Sequence, residues 1–386
     1  IGFNSGYKIM IDVKYFFDSI KEKGTKFFTG VPDSLLKNIC AYIADNSSEK
    51  EHIIAANEGN AIALAIGYHL ATGEIPLVYM QNSGLGNIVN PLLSLADKEV
   101  YSIPMLLMIG WRGQPGVKDE PQHIKQGRVT ESLLKTMEIP YSIITSNLDN
   151  GQIQDIINTA YALCKKLKSP YAFLVEKDSF SNYVLTDNYN YQNELNREEA
   201  LKIIVDCLGD NDIVVSTTGV LSRELYEYRE HCNQSHGHDF LTVGGMGHAN
   251  QIALGIAINK PDRNVICLDG DGAMLMHMGS LALNASMKLP NYKHVVFNNK
   301  VHDSVGGQPI ASPDISISKL ANVLGYENSK TVACKEDIMN AMKHFLNSNK
   351  SGLLEIIVNK GVRSDLMRPT STPIENKRDF ELFLNV

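Results

Sequence analysis

Asn264-Val265-Ile266-Cys267-Leu268-Asp269-Gly270-Asp271-Gly272 is a short apolar run that ends in Gly-Asp-Gly. The run has the length and β-branched content of a buried strand, and residues 273–287 after it carry apolar side chains at helical spacing. Strand, tight turn and helix are therefore predicted in that order. Gly270 and Gly272 let the backbone turn where strand meets helix, and a diphosphate can approach such a turn. After a gap of 25 residues comes Asn298-Asn299. Asp271 offers a carboxylate and Asn299 an amide oxygen, both hard ligands suited to Mg²⁺. That ion is commonly held by one or two protein groups, with phosphate oxygens and water completing the octahedron.

Outward from this turn, strand-like and helix-like segments alternate along the chain, the pattern of parallel sheets covered by helices on both faces. In the first half, residues 26–28, 52–55, 76–80 and 105–109 read as strands, and 171–175 is expected to close that sheet. Amphipathic stretches at 13–23 and 153–167 supply helices. From residue 179 the chain turns polar and aromatic without apolar periodicity, which marks a linker, until Asn196 and Glu199 take the spacing of a helix cap. The second half repeats the plan with strands at 212–216, 265–268, 293–297 and 353–358. The expected architecture is α/β, with two doubly wound parallel-sheet domains at 10–180 and 196–386 joined by a linker at 181–195. There is no sequence repeat between them.

With 386 residues the chain can build two cores of ordinary size, and 44% hydrophobic against 20% charged residues is globular composition. A formal charge of -7, without a basic run, speaks against nucleic acid. No 18-residue apolar run predicts a membrane span. Six scattered cysteines without Cys-x-x-Cys fit reduced thiols and a cytoplasmic address, with Cys267 a small core residue. Met10 reads as a natural start after nine residues that lack a signal peptide's apolar core. His236-Gly237-His238-Asp239 reads as a solvated turn, since no third metal ligand lies at suitable spacing.

Gly-Asp-Gly followed two dozen residues later by Asn-Asn resembles the signature of thiamine diphosphate-dependent enzymes. The resemblance implies a pyrimidine-binding N-terminal domain and a diphosphate-binding C-terminal domain, with Mg²⁺ on Asp271, Asn299 and the Val301 carbonyl. Asn298 is expected to be structural. The cofactor's aminopyrimidine becomes basic only when a carboxyl group bonds its far nitrogen, so a glutamate with a raised pKa is required. Glu58, in Ala55-Ala56-Asn57-Glu58-Gly59-Asn60-Ala61, follows a predicted strand and opens a helix expected over 61–72, among small neighbours. The stretch is similar to the family's catalytic glutamate motif. Val243-Gly244-Gly245-Met246-Gly247-His248-Ala249 is similar to the family's pyrimidine-binding segment, implying a carbonyl from Gly244 and a wedge from Met246. Ser216, Thr217, Thr218 and Gly219 follow a strand and could donate to the diphosphate.

Larger relatives insert a middle domain that this chain lacks. The compact form resembles the branch of phosphonopyruvate and sulfopyruvate decarboxylases. Three segments carry that likeness: residues 29–35, the long lid at 110–123, and 299–308 after the metal ligand. The branch implies a small 2-oxo acid with a terminal phosphonate, from which carbon dioxide is removed in phosphonate biosynthesis of the 2-aminoethylphosphonate type. Sulfopyruvate is the nearer alternative, and a non-catalytic cofactor-binding protein the more distant one. A substrate anionic at both ends needs positive charge and hydroxyls, for which Arg112, Lys118, His123 and His302, with Ser34, Ser304 and the adjacent Asp33, are candidates. His123 or His302 is the expected proton donor. The resemblance also implies a homo-oligomer, at least a dimer, whose cofactor takes Glu58 from one subunit and Asp271 from another.

Overall fold

The computed structural model describes residues 10–186 and 192–385. Residues 1–9, before the start expected at Met10, and 187–191 of the expected linker lie outside the described residues. The chain forms two compact units, Ile1–Asn188 with Val305–Ala311, and Tyr189–Ser304 with Ser312–Val386.

The first unit holds strands β1 (Phe28–Gly30), β2 (His52–Ile54), β3 (Leu77–Gln81), β4 (Leu106–Gly110), β5 (Tyr141–Ile144) and β6 (Tyr171–Val175). They pair in parallel in the order β2-β1-β3-β4-β6-β5. Helices α1 (Val13–Glu22), α2 (Lys37–Asp45), α3 (Glu58–Thr72), α4 (Leu85–Pro91), α5 (Pro121–Thr136) and α6 (Asn150–Leu167) accompany them. Strands apolar throughout, such as Leu106–Gly110, are buried on both faces because helices cover both sides. Alternate residues divide between two cores. Tyr79, Met108 and Phe173 pack with Phe16 and Ile20 of α1, while Val78, Met80, Leu107 and Ile109 pack with Ala61, Ile62 and Ala65 of α3. Each large side chain so buried contributes roughly 1.5–3 kcal/mol.

The second unit holds β7 (Ile213–Ser216), β8 (Asp239–Leu241), β9 (Val265–Gly270), β10 (Tyr292–Asn298), β11 (Asn328–Val332) and β12 (Gly352–Ile357). Its helices are α7 (Arg197–Val205), α8 (Val220–His231), α9 (Ala249–Asn259), α10 (Asp271–Met276), α11 (Gly279–Met287), α12 (Ile317–Leu324), α13 (Lys335–Leu346) and α14 (Pro373–Leu384). The strand order is β8-β7-β9-β10-β12-β11, all parallel. Counted from its own first strand, this is the order of the first sheet. The two units therefore share a topology without sharing a sequence repeat.

One face of the second sheet is apolar, with Ile266, Leu268, Val295, Phe297 and Leu354 in a core with Leu201, Leu225 and Phe345. The other carries Cys267, Asp269, Tyr292 and His294, all fully buried. The capping box expected at Asn196 is present, with Asn196 Oδ1 accepting from the Glu199 amide at 2.8 Å.

Three expectations are corrected. Residues 171–175 do not close the first sheet, because β6 lies between β4 and β5 and the edge belongs to β5. The helix expected over 273–287 is two helices, broken where His277 leaves the helical path at φ -131°, ψ 46°. The stretch 236–239 is a solvated turn only in part, since 236–238 make a short turn with no buried residue and Asp239 is buried. Its ring of His236 stacks on Tyr226 at 4.0 Å, and Asp239, fully buried, takes two bonds of 3.0 Å from Arg229.

Candidate functional site

In each unit the candidate residues gather at the carboxyl ends of parallel strands, where open α/β sheets bind ligands. The second unit supplies four such ends in neighbouring strands, those of β7, β8, β9 and β10.

Asp271 is the first residue of α10 and is 4% exposed. Its Oδ1 accepts from the Gly272 amide and its Oδ2 from the Lys300 amide, each at 2.6 Å. Lys300 reaches that position at φ 67°, a left-handed conformation that costs a non-glycine residue on the order of 1–3 kcal/mol. The loop after β10 is thus strained into pointing an N–H at Asp271. Burial still pushes the carboxyl up to about 7, the several backbone bonds notwithstanding. A cation beside it would reverse that shift and hold the group ionised.

Asn299 donates Nδ2 to Asp303 Oδ2 at 2.7 Å, and its Oδ1 accepts from the Val301 amide at 3.1 Å. Asn298 is turned away into the fold, bonding Glu355 at 2.8 Å, the structural role expected of it. Carboxylate, amide oxygen and the backbone carbonyl of buried Val301 are oxygen donors of the kind Mg²⁺ takes. Among the described residues a second group of ligand-type side chains, Cys267, Asp269 and His294, lies within 4.8 Å. Burial pushes the Cys267 thiol well up, so it stays a neutral thiol, and His294 Nε2 is already paired with Asp269 at 3.3 Å. Cys267 is a core residue, as expected.

At the end of β7, Ser216 is engaged by Ser222 Oγ at 3.0 Å, whereas the Thr217 hydroxyl is buried with no partner among the described residues. Gly219, at φ 102°, precedes the first turn of α8. Such a buried orphan hydroxyl beside a helix N-terminus suits an anionic oxygen. After β8, Gly247 has φ 87°, and a Cβ there would meet the Ala273 carbonyl at 2.9 Å, so only glycine lets this segment lie against α10. Gly244 and Met246 on the same segment are half-buried. His248 and His277, ring centroids 4.4 Å apart, flank it.

In the first unit, Glu58 opens α3 directly after β2 and is 5% exposed. The helix starts three residues earlier than expected because Asn57 caps it, accepting from the Asn60 amide at 2.9 Å. Burial raises the Glu58 carboxyl above its usual value, and one bond from Asn87 Nδ2 at 2.7 Å only partly offsets this. A Cβ on Gly84 would meet Glu58 Oε1 at 2.5 Å. Neither Asn87 nor Gly84 was legible as a partner, since sequence separation of nearly thirty residues carries no signal of contact.

Arg112, Ser34 and Asp33 do come together, at the ends of β1 and β4. Arg112 Nη1 donates to Ser34 Oγ at 2.9 Å, and fully buried Asp33 accepts from Gln81 Nε2 at 2.7 Å. Asp33 is raised by burial. The guanidinium is committed, however, through Nε and Nη2 to Asp119 at 2.8 and 2.5 Å. The expected lid at 110–123 is anchored at both ends: Trp111 and Gly113 are buried, and 121–123 belong to α5. Its exposed part is residues 115–118, which includes Lys118. His123 is buried on α5. His302 lies on the loop after Asn299, with burial lowering its imidazole to about 4, and Ser304 is exposed.

The model of the thiamine pyrophosphate enzyme N-terminal TPP binding domain matches residues 13–134, and that of the C-terminal TPP binding domain matches residues 217–356. The chain is 33% identical to a phosphonopyruvate decarboxylase of Streptomyces viridochromogenes, over 94% of this chain and 92% of that one. A second, from Streptomyces hygroscopicus, is 32% identical over 93% and 90% of the two chains. The sulfopyruvate decarboxylase of Methanosarcina acetivorans is 26% identical over 95% and 96%.

Proposed function

The chain belongs to the thiamine pyrophosphate enzymes, and on that premise we propose that it decarboxylates 3-phosphonopyruvate to phosphonoacetaldehyde and carbon dioxide with thiamine diphosphate and Mg²⁺. That it is a thiamine diphosphate-dependent 2-oxo acid decarboxylase follows from its family and relatives; the substrate, the metal and a place in phosphonate biosynthesis are the proposal. The observation that carries it is the dry Glu58 carboxyl at the head of α3, a group that catalysis needs and diphosphate anchoring does not.

Thiamine diphosphate, when bound, supplies a thiazolium that accepts the electron pair left by departing carbon dioxide. Glu58 holds a proton toward the far nitrogen of the aminopyrimidine. Asp271, Asn299 and the Val301 carbonyl would hold Mg²⁺, which would supply positive charge against the diphosphate. Thr217, Thr218 and Gly219 would donate to diphosphate oxygens, and Gly244 and Met246 would orient the pyrimidine. Ser34, Asp33 and the Arg112 Nη1 that meets Ser34 are the candidates for one anionic end of the substrate, since Asp119 claims the rest of that guanidinium; Lys118 and Ser304 are further candidates. Of the two expected proton donors, burial counts against His302, whose neutral imidazole has no acidic proton to give at neutral pH, and leaves His123.

A homo-oligomer is part of the reading. Exposed Leu64 and Leu70 on α3, and in the second unit Ile252, Ile258, Leu283 and Met287, leave helices apolar on outward faces, which supports burial against further copies. Mixing inactive Glu58→Ala and Asp271→Ala chains is expected to restore activity after subunit exchange.

Carbon dioxide release from phosphonopyruvate, sulfopyruvate and pyruvate, with cofactor and Mg²⁺, tests the substrate. Preference for phosphonopyruvate is expected. Preference for sulfopyruvate, the second reading supported by the archaeal relative, would keep the mechanism and change the substrate. Release from none would leave only cofactor binding.

A further inference from the structure

An asparagine amide has two ends of opposite character, and only its oxygen can ligate a cation. What fixes the Asn299 amide is visible in the structure. Its Nδ2 donates to Asp303 Oδ2 at 2.7 Å, and a carboxylate can only accept, so the amide cannot flip without losing this bond. The Val301 amide on Oδ1 at 3.1 Å defines the same orientation.

Asp303 is itself held. Arg197 Nη1 donates to its Oδ2 at 2.9 Å, and the Gly361 amide lies 3.1 Å from both oxygens. Arg197, the first residue of α7 and 7% exposed, is fixed by two bonds to Glu224 of α8, at 2.9 and 3.0 Å, and by Nη2 on the Gly361 carbonyl at 3.2 Å. Glu224 is 4% exposed. A planar guanidinium clamped on one side by a carboxylate presents its remaining N–H at a fixed place. The chain of contacts Glu224, Arg197, Asp303, Asn299 thus runs from the helices of the second unit to the end of β10.

We propose that Asp303, held by Arg197, is the positioning residue that keeps the Asn299 oxygen turned to the divalent cation, so that this buried network sets metal affinity. The proposal rests on the metal reading of Asp271 and Asn299. Outer partners of metal ligands characteristically change affinity by about 10–100-fold when removed.

The test is Mn²⁺ binding to the full chain with thiamine diphosphate, followed by electron paramagnetic resonance of the unbound ion. Asp303→Ala is expected to weaken binding about 10–100-fold. Turnover of Asp303→Ala at saturating metal is expected to fall much less, so the loss lies in metal dependence. Asp303→Asn, which keeps an acceptor for the Asn299 Nδ2, is expected to regain most of the affinity, with thermal melts showing both variants folded. Unchanged binding in Asp303→Ala, while Asp271→Ala loses it, would overturn the positioning role and leave the metal reading standing. Equal weakness in folded Asp303→Asn and Asp303→Ala would also overturn it, since charge and not orientation would then matter. If Asp271→Ala binds Mn²⁺ as tightly as the parent chain, the metal reading fails first and the proposal with it.

Discussion

Two buried carboxyl groups, one in each unit, stand at the same kind of position, the first residue of the helix that follows a parallel strand. Glu58 stands after β2 and Asp271 after β9. Both lie at a helix N-terminus, which favours the ionised form, and burial raises both pKa values against it. They differ in what surrounds them. Asp271 is met by backbone N–H groups of Gly272 and Lys300, with further oxygens of the Asn299 loop nearby in sequence. Glu58 is met by one side-chain amide, Asn87, and by the bare backbone of Gly84. One setting suits a carboxylate opposite a cation; the other suits a carboxyl that shares a proton with a neutral ring. Burial alone does not assign a role, and the partners do.

The largest expected effect would sharpen this contrast. Asp271→Ala should weaken metal binding by more than about 100-fold, the upper range for losing a mere outer partner, and take cofactor binding with it. Calorimetry with Mg²⁺ and thiamine diphosphate reads both. Glu58→Gln should leave cofactor binding nearly intact and reduce turnover by about 10²–10⁴-fold, with hydrogen exchange at the cofactor's C2 slowed in step. If calorimetry found cofactor binding lost in Glu58→Gln and kept in Asp271→Ala, the comparison would be inverted.

Gly84→Ala probes the dry wall of Glu58. The new methyl would meet Oε1 at 2.5 Å, so a loss of about 1–3 kcal/mol in chemical denaturation is expected. Most of that loss should vanish in a Glu58→Ala background, a coupling that a double-mutant cycle measures.

The smallest effect is in pH dependence. A carboxyl raised by folding binds its proton more tightly in the native state, so stability falls as pH climbs from the unfolded value, near 4.5, through the raised folded one. Glu58→Gln lacks that slope. Its melting temperature relative to the parent should therefore rise across this window and level off above it. A difference independent of pH would mean that Glu58 is not the raised group.

Legibility followed burial and locality. Central strands were readable because both faces are covered: every residue of 105–109 is apolar, and Val295-Val296-Phe297 run together in 293–297. The unread strands β5, β8 and β11 all lie at sheet edges. There one side needs no cover, and sequences such as Asn328-Ser329-Lys330-Thr331-Val332 keep little apolar pattern. The break at His277 was hidden for the opposite reason: apolar spacing continues through it, and what ends α10 is conformation, not composition. At 236–239 polar residues suggested water, but Arg229, ten positions before Asp239, neutralises the buried acid.

Residues near one another in the chain set the turn at Gly270-Asp271-Gly272, the glutamate at the head of α3, the cap at Asn196 and the alternation that makes two parallel sheets. Each depends on residues close in the chain, where spacing fixes geometry. It took the folded chain to show that Asn87 and Gly84 wall Glu58, that Asp119 already claims Arg112, and that Arg197 and Glu224 secure Asp303 behind Asn299. Those pairings join side chains that the chain path brings together from different strands and helices, and an ion pair or amide bond leaves no periodic trace in the residues between.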